Sequence, residues 1–349
     1  PENLGKVEFN LENRNKKSLS VDLKTSDGQI ILHQLVKKSD VFITNLPYPS
    51  REELRLTSSV IRASNSKLIY ASLTGYGEEG PNHTNPALDA TAWWASSGMM
   101  EWSKTRSSGE LPPYPIPGVG DHPTGLALLS AILLALIKRN KTGKGTTVST
   151  SLFANGIWAN SVLMQSLLAG NKEVGSFEWE KLSPLRNLYR LEDNSLFIVF
   201  VTDEDRHWSD FISRLKIKTL KVDSRFSCPK NRFENQKVLK KILQNFFSKV
   251  DYEYVHNKLR GSKIVYSKVR KASENITDPQ AILNNVFMDM TTSDGKINKI
   301  IAPPLNIEST PIKNAKEAPN IGEHNQRILL ELGYSEAQIE NMRLKKIIG

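Results

Sequence analysis

The run Pro117-Gly118-Val119-Gly120-Asp121-His122-Pro123-Thr124-Gly125 sets one carboxylate in a glycine-rich loop, directly ahead of a helix that Pro123 is expected to open. Flanking glycines let a substrate approach the backbone closely, and a helix N-terminus stabilises negative charge, so Asp121 is the acid best placed for chemistry. The same position suits a cap. Asp before a Pro-initiated helix satisfies free N–H groups, and capping is the commoner use of such a residue. Spacing leaves both roles open. The histidines, His33, His83, His122, His207, His256 and His324, show no ligand spacing, so no metal is expected. No phosphate-cradling glycine motif, nucleophile elbow or Cys–His arrangement is present either. A carboxylate or a loop backbone must therefore carry any catalysis.

The elements expected to hold that loop are those of an α/β protein. Short β-rich runs at 41–44 and 68–73 each follow a stretch with helical spacing, at 28–38 and 51–65. This alternation predicts a parallel sheet flanked by helices, whose ligand crevice lies beyond the carboxyl ends of the strands, at Thr44-Asn45-Leu46-Pro47 and Thr74-Gly75-Tyr76-Gly77. Residues 109–125 hold Pro112, Pro113, Pro115, Pro117 and Pro123 and read as an ordered functional loop. A long apolar helix at 126–139, a strand at 146–151 and a helix running to about Gly170 follow. Beyond these come a strand at 196–201, helices near 205–215 and 234–249, and a hairpin about Ser293-Asp294-Gly295. The expected division is a large α/β domain over 1–190, a smaller α+β domain over 191–300, and a segment over 301–349, with a last helix at 325–332, returning to the large domain.

At 349 residues with 39% apolar side chains the chain can fill a substantial core. Its net charge of +10 favours anionic partners. The basic residues are scattered rather than massed with aromatics, so nucleic acid is not an expected partner. A single cysteine, Cys228, excludes an intramolecular disulfide and fits a reducing, cytoplasmic compartment. The longest largely apolar run, 126–137, falls short of a bilayer span, so no membrane association is expected. The opening Pro1-Glu2-Asn3-Leu4-Gly5 lacks both secretory character and an initiator Met, so a processed or incomplete start is expected.

Four blocks in register carry a family resemblance: Asn15 to Lys24 (NKKSLSVDLK), Ser39 to Asn45 (SDVFITN), Ser72 to Pro81 (SLTGYGEEGP) and Gly120 to Gly125 (GDHPTG). Together with Lys141-Thr142-Gly143-Lys144-Gly145, Asn187-Leu188-Tyr189-Arg190 and Gly322-Glu323-His324, they resemble the family III CoA-transferases, the group of formyl-CoA and carnitine CoA-transferases and α-methylacyl-CoA racemase. The resemblance implies a doubly wound, Rossmann-like large domain with a largely parallel sheet, a smaller α+β domain, and a homodimer of interlocked rings. It implies an enzyme that moves CoA from an acyl-CoA to a small carboxylic acid, with Asp121 as nucleophile passing through an aspartyl anhydride and an aspartyl-CoA thioester. It carries coenzyme A contacts onto Val21, Lys24, Asn45, Leu46 and Leu152. Val21 and Leu152 are equally suited to a core, and Lys24 to solvent.

The chain also departs from the pattern. Family members begin several dozen residues earlier, with a strand and loop that help bind CoA, so a truncated, non-catalytic CoA-binding protein is one alternative. Racemase members place His where Leu88 stands, before Asp89, which disfavours the racemase alternative. Glu53 occupies the place of a basic residue, for which Arg51 or Arg55 could substitute. Asp89 matches an acidic position near the active site, or serves as a paired structural carboxylate. His122 is a proton shuttle or a polar surface residue. Trp93, Trp94 and Trp102 could wall an acyl pocket or belong to the core.

Overall fold

A computed structural model describes residues 4–104, 111–172, 182–310 and 314–349, and these fall into two compact units. The first comprises the described residues up to 172 together with those from 285 onward; the second spans 182–284.

In the first unit the chain runs through α1 (Leu4–Asn13), α2 (Ser26–Lys38), β1 (Val41–Thr44), α3 (Tyr48–Glu53), α4 (Ser58–Ala63) and β2 (Ile69–Thr74). A π-helical turn, Asp89–Ala95, and α5 (Met99–Trp102) lead towards α6 (Asp121–Thr142), β3 (Thr147–Ser151), α7 (Leu152–Ala159) and α8 (Ser161–Leu168). Strand β2 lies between β1 and β3, all parallel, with Phe42 opposite Tyr70 and Ala71 opposite Val148. Side chains alternate across a strand, so the two faces take different partners. Tyr70 packs with Val36, Leu56, Ile61 and Leu68 on one face. Ala71 packs with Leu128 and Ile132 of α6 on the other. The sheet therefore has helices on both sides.

Local chemistry fixes the helix ends. Thr25 caps α2 by accepting the Gly28 N–H at 3.0 Å, and Lys37 and Lys38 close its last turn. Gly143, with φ of 69°, ends α6 in the left-handed conformation and returns its N–H to the Arg139 carbonyl at 2.7 Å.

The second unit follows with β4 (Arg186–Arg190), β5 (Leu196–Phe200), α9 (Glu204–Leu215), α10 (Lys218–Val222), α11 (Pro229–Glu234), α12 (Gln236–Phe247), α13 (Tyr252–Leu259), β6 (Val265–Lys268) and α14 (Pro279–Leu283). Its antiparallel sheet, ordered β4-β5-β6, is backed by a core that includes Tyr189, Phe197, Phe211 and Phe247. The chain then rejoins the first unit through β7 (Phe287–Thr291), β8 (Ile297–Ile301), β9 (Ala315–Lys316), α15 (Asn325–Glu331) and α16 (Glu336–Leu344). Strands β7 and β8 form the hairpin that turns at Asp294-Gly295, where Gly295 has φ of 81°. Leu329, Ile339, Ile347 and Ile348 pack on Ile31 of α2. Ser18 and Ser20 are stitched to the C-terminal segment: their N–H groups reach His324 Nδ1 at 3.2 Å and Asn325 Oδ1 at 2.8 Å.

Several boundaries differ from the sequence expectations. The stretch 51–65 is two helices, because Arg55 takes a left-handed φ of 54° after α3. The helix expected to run to Gly170 divides at Asn160. Strand β4, placed by the sequence at the end of the large domain, pairs with β5 in the second unit. The β7–β8 hairpin, placed in the small domain, belongs to the first unit and pairs with β9. Gly109 and Glu110 of the proline-rich loop lie outside the described residues.

Helix α6 begins at Asp121, five residues before the expected 126, which makes it a 22-residue helix. By length and composition alone it would suffice to cross a membrane, contrary to the reading of its shorter apolar run. Leu128, Ile132 and Ala135 are nevertheless buried in the fold.

Candidate active site

Asp121 is the first residue of α6, with Gly120 at the cap position. The expectation that Asp121 itself caps a helix opened by Pro123 is corrected. Gly120 already has helical backbone angles (φ −86°, ψ −37°), the His122 N–H bonds the Gly118 carbonyl at 3.0 Å, and no side-chain cap bond forms. Pro123 is tolerated as the third helical residue because the first four N–H groups of a helix lack intrahelical partners in any case. Among the described residues nothing hydrogen-bonds the Asp121 carboxylate.

Both sequence neighbours of Asp121 are held by other carboxylates. Asp89, only 8% exposed at the start of the π-helical turn, accepts the Gly120 N–H on Oδ2 at 3.2 Å. Glu12 of α1 pairs through Oε1 with His122 Nε2 at 2.9 Å. Trp93, one turn beyond Asp89, leaves no room above Gly120: a Cβ there would stand 2.6 Å from Trp93 Cγ.

Asp121 as a residue is exposed, yet protein surrounds its carboxyl closely enough that desolvation is the leading cause of a pKa above the ordinary aspartate range. The negative charges of Asp89, Glu12 and Glu8 add to the rise, and His122 opposes it. The helix N-terminus expected to hold this group ionised is thus outweighed.

The structure joins Asp121, Asp89 and His122, and of the expected coenzyme A residues only Leu152 packs beside that set. Val21 bridges Ile348 and packs on the cluster around Ile31 and Leu329. Lys24 is exposed and ion-paired with Glu53 at 2.7 Å, which raises its pKa and lowers that of Glu53. Asn45 is exposed beyond β1, and Leu46 returns its N–H to Thr44 Oγ1 at 3.2 Å. Leu152 is buried with Ala92 and Trp93, so it supports the turn that carries Asp89.

Arg51 does not stand free as a substitute base for Glu53. It is buried, it forks onto Glu78 with contacts of 3.2 and 2.8 Å, and it lies 5.4 Å from the Tyr48 ring centroid. Trp93 and Trp94 meet edge to face with centroids 5.1 Å apart, and their indole N–H groups are buried without a partner among the described residues.

Sequence reasoning missed α1. Glu8 and Glu12 lie four residues apart on it, hence on one face. Their approach to Asp121 depends on contacts three hundred residues distant in sequence. Asn10, on the same helix, donates to Glu317 Oε1 at 3.3 Å and accepts the Ala318 N–H at 3.1 Å. Asn15 and Lys316 exchange two further bonds, of 3.2 and 2.8 Å. No local pattern announces such a pin. The repeated acid at Glu8 and Glu12 was the only signal available.

Comparison with known proteins places the chain in a family. The profile of CoA-transferase family III matches residues 2–325. The (R)-2-hydroxy-4-methylpentanoate CoA-transferase of Clostridioides difficile is 28% identical, over 97% of this chain and 84% of that protein. The human alpha-methylacyl-CoA racemase is 27% identical, over 96% of this chain and 85% of that protein. The crystal structure of a CAIB/BAIF family protein from Brucella suis superposes with a TM-score of 0.78 and 24% identity, covering 93% of this chain and 83% of that one. A profile that spans nearly the whole chain, on a mixed α/β fold with a parallel sheet, decides the matter: the chain belongs to CoA-transferase family III.

Proposed function

We propose that the protein transfers coenzyme A from an acyl-CoA to a carboxylic acid, with Asp121 as the nucleophile. The observation that carries this reading is an acid with no hydrogen-bond partner among the described residues, at a helix start whose two neighbours are fixed by Asp89 and Glu12. A structural carboxylate would be engaged; this one is presented.

In the proposed sequence an Asp121 oxygen attacks the thioester carbonyl, the C–S bond breaks and CoA thiolate leaves, giving a mixed anhydride. The thiolate then attacks the aspartyl carbonyl, releasing the donor acid and forming an aspartyl-CoA thioester. The acceptor carboxylate attacks that thioester, and the freed thiolate takes the acceptor acyl group, regenerating Asp121. No water enters and no net proton moves, so thioester energy is conserved. Asp89 acts by fixing Gly120, and hence the direction of the Asp121 side chain.

Coenzyme A is proposed to lie near Lys24, Asn45 and Leu46, where Lys24 would leave Glu53 for a phosphate. Val21, in the core beside Ile31, and Leu152, beneath the turn that carries Asp89, are proposed as further neighbours of coenzyme A. A homodimer completes the reading: Leu133, Leu134 and Ile137 of α6 and Trp158, Val162 and Leu168 of α7 and α8 are exposed apolar side chains that a second copy could cover. A single free cysteine suits the cytoplasm.

Trapping with hydroxylamine or borohydride tests the mechanism. An acyl-aspartyl species at Asp121 supports it, and an Asp121→Ala enzyme with undiminished exchange sinks it. The racemase alternative keeps one supporting observation, the raised pKa of Asp121, which also suits a proton-abstracting base. Deuterium uptake at the acyl α-carbon without any acceptor acid would select that alternative.

A further inference from the structure

We infer that Glu8 and Glu12 make the Asp121 site selective against a second negative charge, so that the acids it exchanges are monocarboxylic and uncharged beyond the reacting carboxyl. This is a specificity-determining role within the site described above, and it rests on the transferase reading.

The geometry surrounds the reacting position with acids. Asp89 holds Gly120 at 3.2 Å on one side of Asp121, and Glu12 holds His122 at 2.9 Å on the other. Glu8 stands one turn from Glu12 on the same face of α1. Two like charges at that spacing disfavour a helix in isolation, so the pairing of Glu12 with His122 and the anchoring of Asn10 on Glu317 are what keep them there.

Among the described residues, the charged groups that act most strongly on Asp121 are Asp89, His122, Glu12 and Glu8, and none of these is a Lys or Arg. A cationic fork or ammonium is the strong side-chain means of recognising a distal carboxylate or phosphate. The one basic ring present, His122, already faces Glu12. A dicarboxylate would thus carry its free charge into a field of three carboxylates, and such like-charge juxtaposition is the usual means of rejecting a wrong partner. The other side of Gly120 is apolar and polarisable, formed by Trp93, itself 5% exposed, with Trp94 against it.

The test compares acceptors of equal size that differ only in distal charge. Glutaramate and glutarate are offered in turn with acetyl-CoA, butyryl-CoA, 4-methylpentanoyl-CoA and 3-phenylpropionyl-CoA as donors, and acyl exchange is followed by mass spectrometry. The native enzyme is expected to use glutaramate at least about tenfold better in kcat/KM (about 1.4 kcal/mol). This preference should shrink as ionic strength rises. In Glu8→Gln/Glu12→Gln it should fall close to unity.

Equal use of the two acids by the native enzyme overturns the inference while leaving the transferase reading intact. A preference that survives both salt and the double substitution overturns the assignment to α1. Absence of exchange with every donor and acid overturns the transferase reading, and the inference with it. Should the double variant fail to fold, Glu8→Gln alone and the salt dependence of the native enzyme decide.

Discussion

Asp89 and Gly120, 31 positions apart, are joined by a hydrogen bond of 3.2 Å from the glycine N–H to the buried carboxylate. The bond ties the π-helical turn to the start of α6, so the direction of Asp121 is set by a residue that need not touch substrate. Asp89→Asn keeps an acceptor of the same shape, whereas Asp89→Ala leaves the N–H unpaired. The alanine variant is expected to lose about 1–3 kcal/mol in urea denaturation and the asparagine variant less. Both remove a negative charge beside Asp121, so the acid limb of the activity–pH profile should move to lower pH in both. An unmoved limb in both variants would contradict the electrostatic link.

Asp121 itself carries a stability cost. Its folded pKa lies above the unfolded value, chiefly through desolvation, so the folded state binds the proton more tightly. The ionised form therefore destabilises the fold once the pH exceeds the unfolded carboxylate pKa, and below it the cost vanishes. Asp121→Asn should raise Tm at neutral pH, by an amount that fades as the solution is acidified, while abolishing exchange. Thermal scans of both proteins across the acid range check the sign; a gain confined to low pH would refute it.

Two glycines of the same motif should respond oppositely to alanine. A Cβ on Gly120 meets the Trp93 ring at 2.6 Å, with Trp93 wedged against Ala92 and Leu152. Gly120→Ala is expected to cost about 1–3 kcal/mol through displaced packing. Gly125 lies within α6 with nothing inside 4 Å of its would-be Cβ. There alanine should stabilise by about 0.5–1 kcal/mol, the ordinary helix propensity difference. Denaturation midpoints of the two variants decide, and a shared sign would show that Trp93 moves freely.

The sequence disclosed those parts of this site that depend on near neighbours. Strand β1 was legible at both ends, because a β-branched run followed by Asn and Pro has few other conformations to adopt. Asp121 was legible as the acid of its loop, though its role as a cap was not sustained. A helix that starts at Asp121, with Gly120 rather than Asp121 at its cap, depends on Trp93 and Asp89 packing from another element. Glu8, Glu12 and the Arg51–Glu78 pair were not legible for the same reason. Each acquires its meaning from a partner brought close by tertiary structure, and isolated charged residues on short helices ordinarily face solvent.

Helix α1 is held by Glu317, whose carboxylate accepts the Ser293 N–H at 2.9 Å and meets Asn10 and Lys6. The Ser293 backbone bond is the main cause of a pKa lowered to about 2. A depressed carboxylate stabilises the fold above its unfolded pKa, and the contribution is lost as pH falls through the folded value. Glu317→Gln should therefore be less stable than the native protein at pH 7, by about 1–3 kcal/mol as for hydrogen bonds to a charge. The difference should close on acidification towards about pH 2. Hydrogen exchange in α1 should quicken in the variant at pH 7. Unchanged exchange there would mean that the helix is anchored elsewhere.

Arg51 and Glu78 supply the sharpest test of the frame beneath the strand ends. Burial pushes the Glu78 carboxyl up, but the Arg51 fork and the Ser72 hydroxyl outweigh it and hold the group below the ordinary range. Arg51 is 4% exposed, so removing its partner alone strands a cation in the interior. Glu78→Gln is accordingly expected to cost about 3–5 kcal/mol, whereas Arg51→Met combined with Glu78→Gln removes the stranded charge and should recover most of that loss. A double-mutant cycle by urea denaturation measures the coupling directly. Additive single effects would show that the pair is solvated in solution. Strong coupling would show that the loop from Thr74 to Gly77, which begins with the Gly77 N–H on Thr74 Oγ1 at 3.0 Å, is braced from beneath by an internal ion pair. In that case Arg51 is held by Glu78 and is not available to a phosphate at this end of the sheet.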